Sequence, residues 1–140
     1  AVNLVFALEE SLKMMQEEGL DNIFKRHEKH KLAVSNAIQA LNLKLFANKN
    51  SLSPSITAIE SVQMDAEDFR KIIKNRFDIL LAGGQDHLKG KIFRVGHLGY
   101  INDRDIMMAI SAIGLTLLEQ KLISTVELGK ALEVAKTHLK

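Results

Sequence analysis

Leu4, Leu8, Leu12 and Met15 recur at helical spacing, with Glu9, Glu10, Glu17 and Glu18 on the other positions. The pattern predicts a first helix that ends at Gly19, the residue type suited to the position just past a helix. Asp21 has the side chain of an N-cap, and Phe24, Val34, Ile38 and Leu41 mark the buried face of a second helix running to about Leu41. The exposed face of that helix carries the basic run KRHEKHK. A short strand is predicted over Leu43 to Phe46. ANKNSLSPS, which holds the only proline, Pro54, is a polar loop, and Ile56 to Ser61 reads as a second strand.

Asp65 caps a third helix, with Asp68 as the third residue of a weak capping box and Phe69, Ile72 and Ile73 inward. Phe77 to Ala82 reads as a strand, GGQDHLKGK as a loop and Ile92 to Gly96 as another strand. After the short loop HLGYI, Asn102 or Asp103 caps a long helix whose inner face is Ile106, Ile110, Ile113 and Leu117. Thr125 caps a last helix with Leu128, Leu132, Ala135 and Leu139 inward. The order α-α-β-β-α-β-β-α-α predicts an α+β fold. About four strands form a small antiparallel sheet, mostly connected by hairpins, with helices covering one face. Neither an internal repeat nor a low-complexity segment interrupts it.

Composition narrows the functions open to such a fold. The 140 residues are 46% apolar and 26% charged, enough for a core of ordinary size in one domain. The complete lack of cysteine excludes, from this stretch, a thiol nucleophile, an iron–sulfur cluster and a thiolate-bound zinc. With no cysteine and no secretory leader pattern, a cytoplasmic location is the default expectation. The longest nearly uncharged apolar stretch, Ile106 to Leu118, has 13 residues, against roughly 20 needed to span a bilayer. No membrane partner is expected. The first seventy residues hold eight basic and ten acidic side chains, and the last seventy hold eleven and seven. That mild asymmetry suits a small anion better than a nucleic acid. The chain starts at Ala1 inside a periodic segment, AVNLVFALEE, which suggests an excised domain with an upstream part missing.

Three stretches could carry chemistry. His27 and His30 sit three apart on a helix and could meet on one face, but four basic neighbours disfavour a cation, so a solvated basic face is the plainer reading. As a nucleic-acid patch the run lacks the aromatic residues on which bases stack, aromatics being 5% of the chain. GGQDHLKGK lacks the spacing of a phosphate-binding P-loop. Its adjacent Gly83 and Gly84 permit either positive φ or close approach of another backbone. The sharpest feature is Arg94, an arginine inside the apolar strand Ile92-Phe93-Arg94-Val95-Gly96. Burying an arginine is costly unless it is paired. Its planar guanidinium could hold a carboxylate ligand by two parallel hydrogen bonds, form a structural ion pair with Asp or Glu, or lie exposed on a sheet face.

The stretch GGQDHLKGKIFRVGHLGYINDRDIMMAISAIGLTLLE resembles the C-terminal end of the class V aminotransferases, the pyridoxal-phosphate enzymes of alanine–glyoxylate and serine–glyoxylate type. The likeness rests on Gly83-Gly84, Gly90-Lys91, the block Ile92-Phe93-Arg94-Val95-Gly96 and the helix Asp105 to Glu119. Upstream, EEGLDNIFKRHEKHKLAVSNAIQALNLKLF and SPSITAIE extend it over nearly the whole chain.

The resemblance implies the small C-terminal domain of a fold-type I enzyme, with residues 1–19 a connector helix and residues 20–140 the domain proper. It implies that Arg94 binds the α-carboxylate of an amino or keto acid, with the Gly83–Gly84 loop adjacent to the site. Pyridoxal phosphate, the lysine that anchors it and most of the phosphate cup would belong to a missing N-terminal large domain, so this stretch by itself carries no catalytic residue. The implied whole is a homodimeric transaminase moving an amino group between a small amino acid such as alanine or serine and a 2-oxo acid such as glyoxylate. Some chains of this branch carry a soluble-hydrogenase small-subunit label, which the lack of cysteine disfavours for this stretch. The alternative is a non-catalytic module that binds an amino acid or mediates dimerisation.

Overall fold

The computed structural model describes residues 1–61 and 63–140, without the Lys49 side chain. In chain order the elements are α1 (Val2–Glu18), α2 (Leu20–Ala40), β1 (Lys44–Leu45), β2 (Ile56–Glu60), α3 (Ala66–Phe77), β3 (Ala82–Gly83), β4 (Ile92–Gly96), α4 (Asp103–Glu119) and α5 (Thr125–His138). Short 3₁₀ turns lie at Lys49–Ser51 and Asp86–Leu88. The four strands form one antiparallel sheet in the order β1-β2-β4-β3, so the order of elements and the α+β class are as the pattern predicts.

Alternation along the central strands decides where the core sits. Thr57, Ile59, Phe93 and Val95 are buried on one face, in register as Thr57–Val95 and Ile59–Phe93. The buried faces of the helices close over them. They supply Val34, Ile38 and Leu41 at the second helix, Phe69 and Ile73 from α3, and Ile106, Ile110, Ile113 and Leu117 from α4. The Phe69 and Phe93 rings meet 5.0 Å apart at a tilt of 40°, a favourable aromatic arrangement. Gly114 lets α5 approach α4, since a Cβ there would meet Leu128 Cδ1 at 2.4 Å.

Several local expectations change. Gly19, at φ 81°, serves as both the C-cap of α1 and the N-cap of α2, and Asp21 lies in the first turn, where its charge favours the helix dipole. Phe24 is 65% exposed and belongs to no core face. Nor has α1 a buried residue; its apolar stripe lies open. The first strand is shorter than predicted. The expected strand over Phe77 to Ala82 gives way to the end of α3, a left-handed Asp78 cap and a two-residue β3. Asp65 caps α3 through the backbone N–H groups of Glu67 and Asp68, without the reciprocal half of a box. Full capping boxes form at Asn102 with Asp105 and at Ser124 with Glu127, so Ser124 replaces Thr125 as the cap of α5. Ile72 is only half-buried, as are Leu128, Leu132 and Leu139.

Candidate functional site

Arg94 lies on the sheet face opposite the helices, half-buried, between Ala58 of β2 and Ala82 of β3. Both neighbours carry only a methyl group, so the guanidinium has room. Its Nε–H donates to the Gly83 carbonyl at 2.9 Å. Arg94 takes part in none of the ion pairs formed among the described residues. Of the three sequence readings, the structural ion pair therefore finds no partner there. One edge of the guanidinium is anchored, and its terminal Nη donors are the groups left for a ligand.

The two glycines answer the question that the sequence left open: both permit close approach. A Cβ on Gly83 would fall 2.5 Å from Arg70 Nη1 and from Glu67 Oε1. Arg70 is itself fixed, donating from Nε to the Leu81 carbonyl at 2.7 Å and from Nη1 to Glu67 at 2.7 Å. A Cβ on Gly84 would fall 2.1 Å from the Leu88 carbonyl oxygen. These glycines thus let the 3₁₀ turn and α3 crowd the edge strand whose carbonyl anchors Arg94.

The basic run of α2 is not a solvated face. His30 is wholly buried, and its Nε2–H donates to Asp103 at 2.9 Å; Lys29 donates to the same carboxylate at 2.9 Å. Burial pushes the His30 pKa down, against the opposing pull of Asp103. Burial alone would raise the Asp103 pKa, but the bonds from Lys29 and His30 outweigh it and the net shift is downward. Arg26 pairs with Glu18 at 2.6 Å and donates to the carbonyls of Gly99 and Ile101, at 2.9 and 3.2 Å. His27 donates from Nδ1 to the Ile23 carbonyl at 2.8 Å and accepts the Gly99 N–H at Nε2. One helix turn thus grips the loop that follows β4. The two histidines have separate partners, His27 at Ile23 and Gly99 and His30 at Asp103, and no cluster of three or more potential metal ligands is found among the described residues.

His97, which sequence reasoning passed over, closes the same loop. It is fully buried, donating from Nδ1 to the Pro54 carbonyl at 3.1 Å and accepting the Thr57 hydroxyl at Nε2, 2.9 Å away. Burial drives its pKa down to about 4, so it stands neutral at physiological pH. The only signal in the sequence is its place two residues beyond a buried strand residue, on the inward side of the alternation.

Comparison with known proteins shows what the chain is similar to. No protein-family model matches the chain. The small subunit of a soluble hydrogenase from a Synechococcus strain is 54% identical over 118 residues, which is 84% of this chain and 31% of that protein. Serine–glyoxylate aminotransferase of Methylorubrum extorquens is 31% identical over 141 residues, 98% of this chain and 34% of that protein. The crystal structure of ureidoglycine–glyoxylate aminotransferase from Bacillus subtilis superposes with a TM-score of 0.86 at 31% identity, over 95% of this chain and 34% of the other. This chain's homologues are class V aminotransferases of serine–glyoxylate and alanine–glyoxylate type. Its fold is that of their C-terminal domain. The chain spans about a third of the length of the curated relatives it matches.

Aminotransferases of this family use pyridoxal phosphate, so the domain's own residues can be tested against that group. A lysine that anchors it must shed its charge, which requires burial or a cationic neighbour. No described lysine side chain is buried, and six of them are held in ion pairs with carboxylates. A groove of about 720 Å³ is bordered by Met14, Phe24, Leu98 and Tyr100, with no lysine among its described lining residues. Among the described residues, then, no lysine is placed as a buried anchor for the cofactor.

Proposed function

We propose that this aminotransferase domain supplies the carboxylate-binding half of a substrate site whose cofactor-binding half lies in the rest of the protein. The reaction class we infer is transfer of an amino group between a small amino acid, such as alanine or serine, and a 2-oxo acid such as glyoxylate, in a homodimeric pyridoxal-phosphate enzyme. The observation that carries this reading is Arg94: anchored at Nε by Gly83, flanked by two alanines, and with no acidic partner among the described residues. An arginine fixed at one edge and unpaired at the other presents a pre-organised fork for a carboxylate.

The hydrogenase name belongs to a relative, and it favours a different reading of the whole protein. This chain offers no cysteine for a nickel–iron or iron–sulfur centre, so nothing in its own residues supports that reading. A module that merely binds an amino acid would use Arg94 in the same way but would turn nothing over.

The test is Arg94→Ala and Arg94→Lys in the full-length protein, followed by transamination kinetics and melting temperature. A charge-assisted contact of about 1.5–3 kcal/mol corresponds to a loss of roughly 10- to 100-fold in kcat/KM for Arg94→Ala. Arg94→Lys should rescue little, because an ammonium keeps the charge and loses the fork. The melting temperature should move little. Wild-type kinetics in Arg94→Ala, or its unfolding, would remove the assignment.

A further inference from the structure

β3 is an edge of the sheet, bonded to β4 on one side only. In an antiparallel pair, successive residues turn their backbone polar groups alternately toward the partner strand and away from it. Gly84 turns its N–H to the Ile92 carbonyl at 3.1 Å. Gly83 and Leu81 therefore turn their carbonyls outward, where no further strand lies. An arginine takes each of them. Arg94 crosses the open face of the sheet and donates from Nε to Gly83 at 2.9 Å. Arg70 comes from α3, on the helix-covered face, and donates from Nε to Leu81 at 2.7 Å. The edge is thus gripped from both faces at alternate carbonyls.

Arg70 is held in its turn. Its Nη1 donates to Glu67, one turn back on α3, at 2.7 Å, and the two side chains are 23% and 29% exposed. Gly83 lies directly on this pair, which stands where a Cβ of Gly83 would be. The ladder of β3 spans only two residues, so contacts outside the ladder carry much of its position.

We propose that Arg70 is a positioning residue for the substrate carboxylate. By holding Leu81 and backing Gly83, it fixes the carbonyl on which Arg94 hangs, and so the direction in which the Arg94 Nη donors face. This inference rests on the carboxylate-clamp reading of Arg94. Arg70 does not itself hold the acid: it lies on the helix side of the sheet, engaged by Glu67 and Leu81. The side chain of Arg94 is long and flexible, and its bond to Gly83 selects one orientation of the fork. Two parallel hydrogen bonds to a carboxylate are directional, so a shift of that carbonyl is felt as lost binding.

The experiment is a double-mutant cycle in the full-length protein, with alanine or serine as donor and glyoxylate as acceptor. Arg70→Ala should lower kcat/KM by about 5-fold or more when Arg94 is present. In the Arg94→Ala background the same change should cost less than about 2-fold, because no fork remains to be misdirected. A merely structural role would lower activity by the same factor in both backgrounds. Arg70→Lys is measured in the same two backgrounds; it keeps a charge beside Glu67 and lacks the Nε donor, so it should show the same dependence on Arg94. Wild-type kinetics in the Arg70 variants, equal losses in both backgrounds, or failure of both variants to fold overturns the inference. A loss in Arg94→Ala upholds the clamp whichever way the cycle falls. Unchanged kinetics in Arg94→Ala, or no turnover of either donor by the wild type, overturns the clamp and the inference together.

Discussion

His97 shows how one side chain ties fold to pH. The fold accepts it neutral, with its proton on Nδ1 facing the Pro54 carbonyl and its lone pair facing the Thr57 hydroxyl. In the unfolded chain it would titrate near 6.5, and in the fold near 4. The unfolded state therefore binds the extra proton first. The contribution is whole above about pH 6.5 and is lost as pH falls toward 4. Between pH 7.5 and pH 5 the loss amounts to about 2 kcal/mol. His30, whose pKa burial also lowers, adds a loss of the same sign. Urea unfolding at those two pH values should show the drop, and His97→Gln should remove the His97 share of the slope while costing some stability at pH 7.5. A variant that keeps the full wild-type slope would show that His97 is not its source.

At the scale of elements, the loop between β3 and β4 is decided by backbone crowding. Gly84 donates to the Ile92 carbonyl while the Leu88 carbonyl passes where its Cβ would be. Gly90, at φ 75°, takes the left-handed conformation and receives the Ala66 N–H on its carbonyl at the start of α3. Gly84→Ala must displace backbone, not a flexible side-chain tip, and should cost on the order of 2 kcal/mol or more. Because Gly83 anchors Arg94, the same displacement should weaken carboxylate binding. Thermal melting of Gly84→Ala checks the first effect, and the KM for a 2-oxo acid in the full-length variant checks the second.

For the molecule as a whole, α1 is the outlier. Seventeen residues long, it buries none, and Val2, Leu4, Val5 and Phe6 are each exposed by more than 60%. Its attachment runs mainly through Gly19 and the Glu18–Arg26 pair. A surface of this kind needs a partner, and the reading of residues 1–19 as a connector assigns it to the large domain. Residues 19–140 should then fold without α1. The ion pair lost with it is worth about 0–1 kcal/mol, so the melting temperature should fall by no more than a few degrees. In sedimentation the 140-residue chain should self-associate at micromolar concentration and the shortened chain should not. A strictly monomeric 140-residue chain, or a shortened chain that fails to fold, would contradict this.

What the residues by themselves determined was the inventory: two helices, two strands, a helix, two strands and two helices, with the inner faces of α3 and α4 and the odd arginine of β4. Periodicity reports these because each element must turn one apolar face to the core. The family likeness of the Arg94 block was legible for the same reason, as local sequence. Tertiary structure alone decided the rest. Phe24 and the apolar stripe of α1 look like core residues and lie exposed, because burial depends on what packs against a face and not on the face itself. His30 and Lys29 look solvated and meet Asp103, more than seventy residues away in the chain. Arg94 could have been paired or free. The distant fold set it between two alanines and hung it on Gly83, since contacts between elements arise only when the elements are brought together.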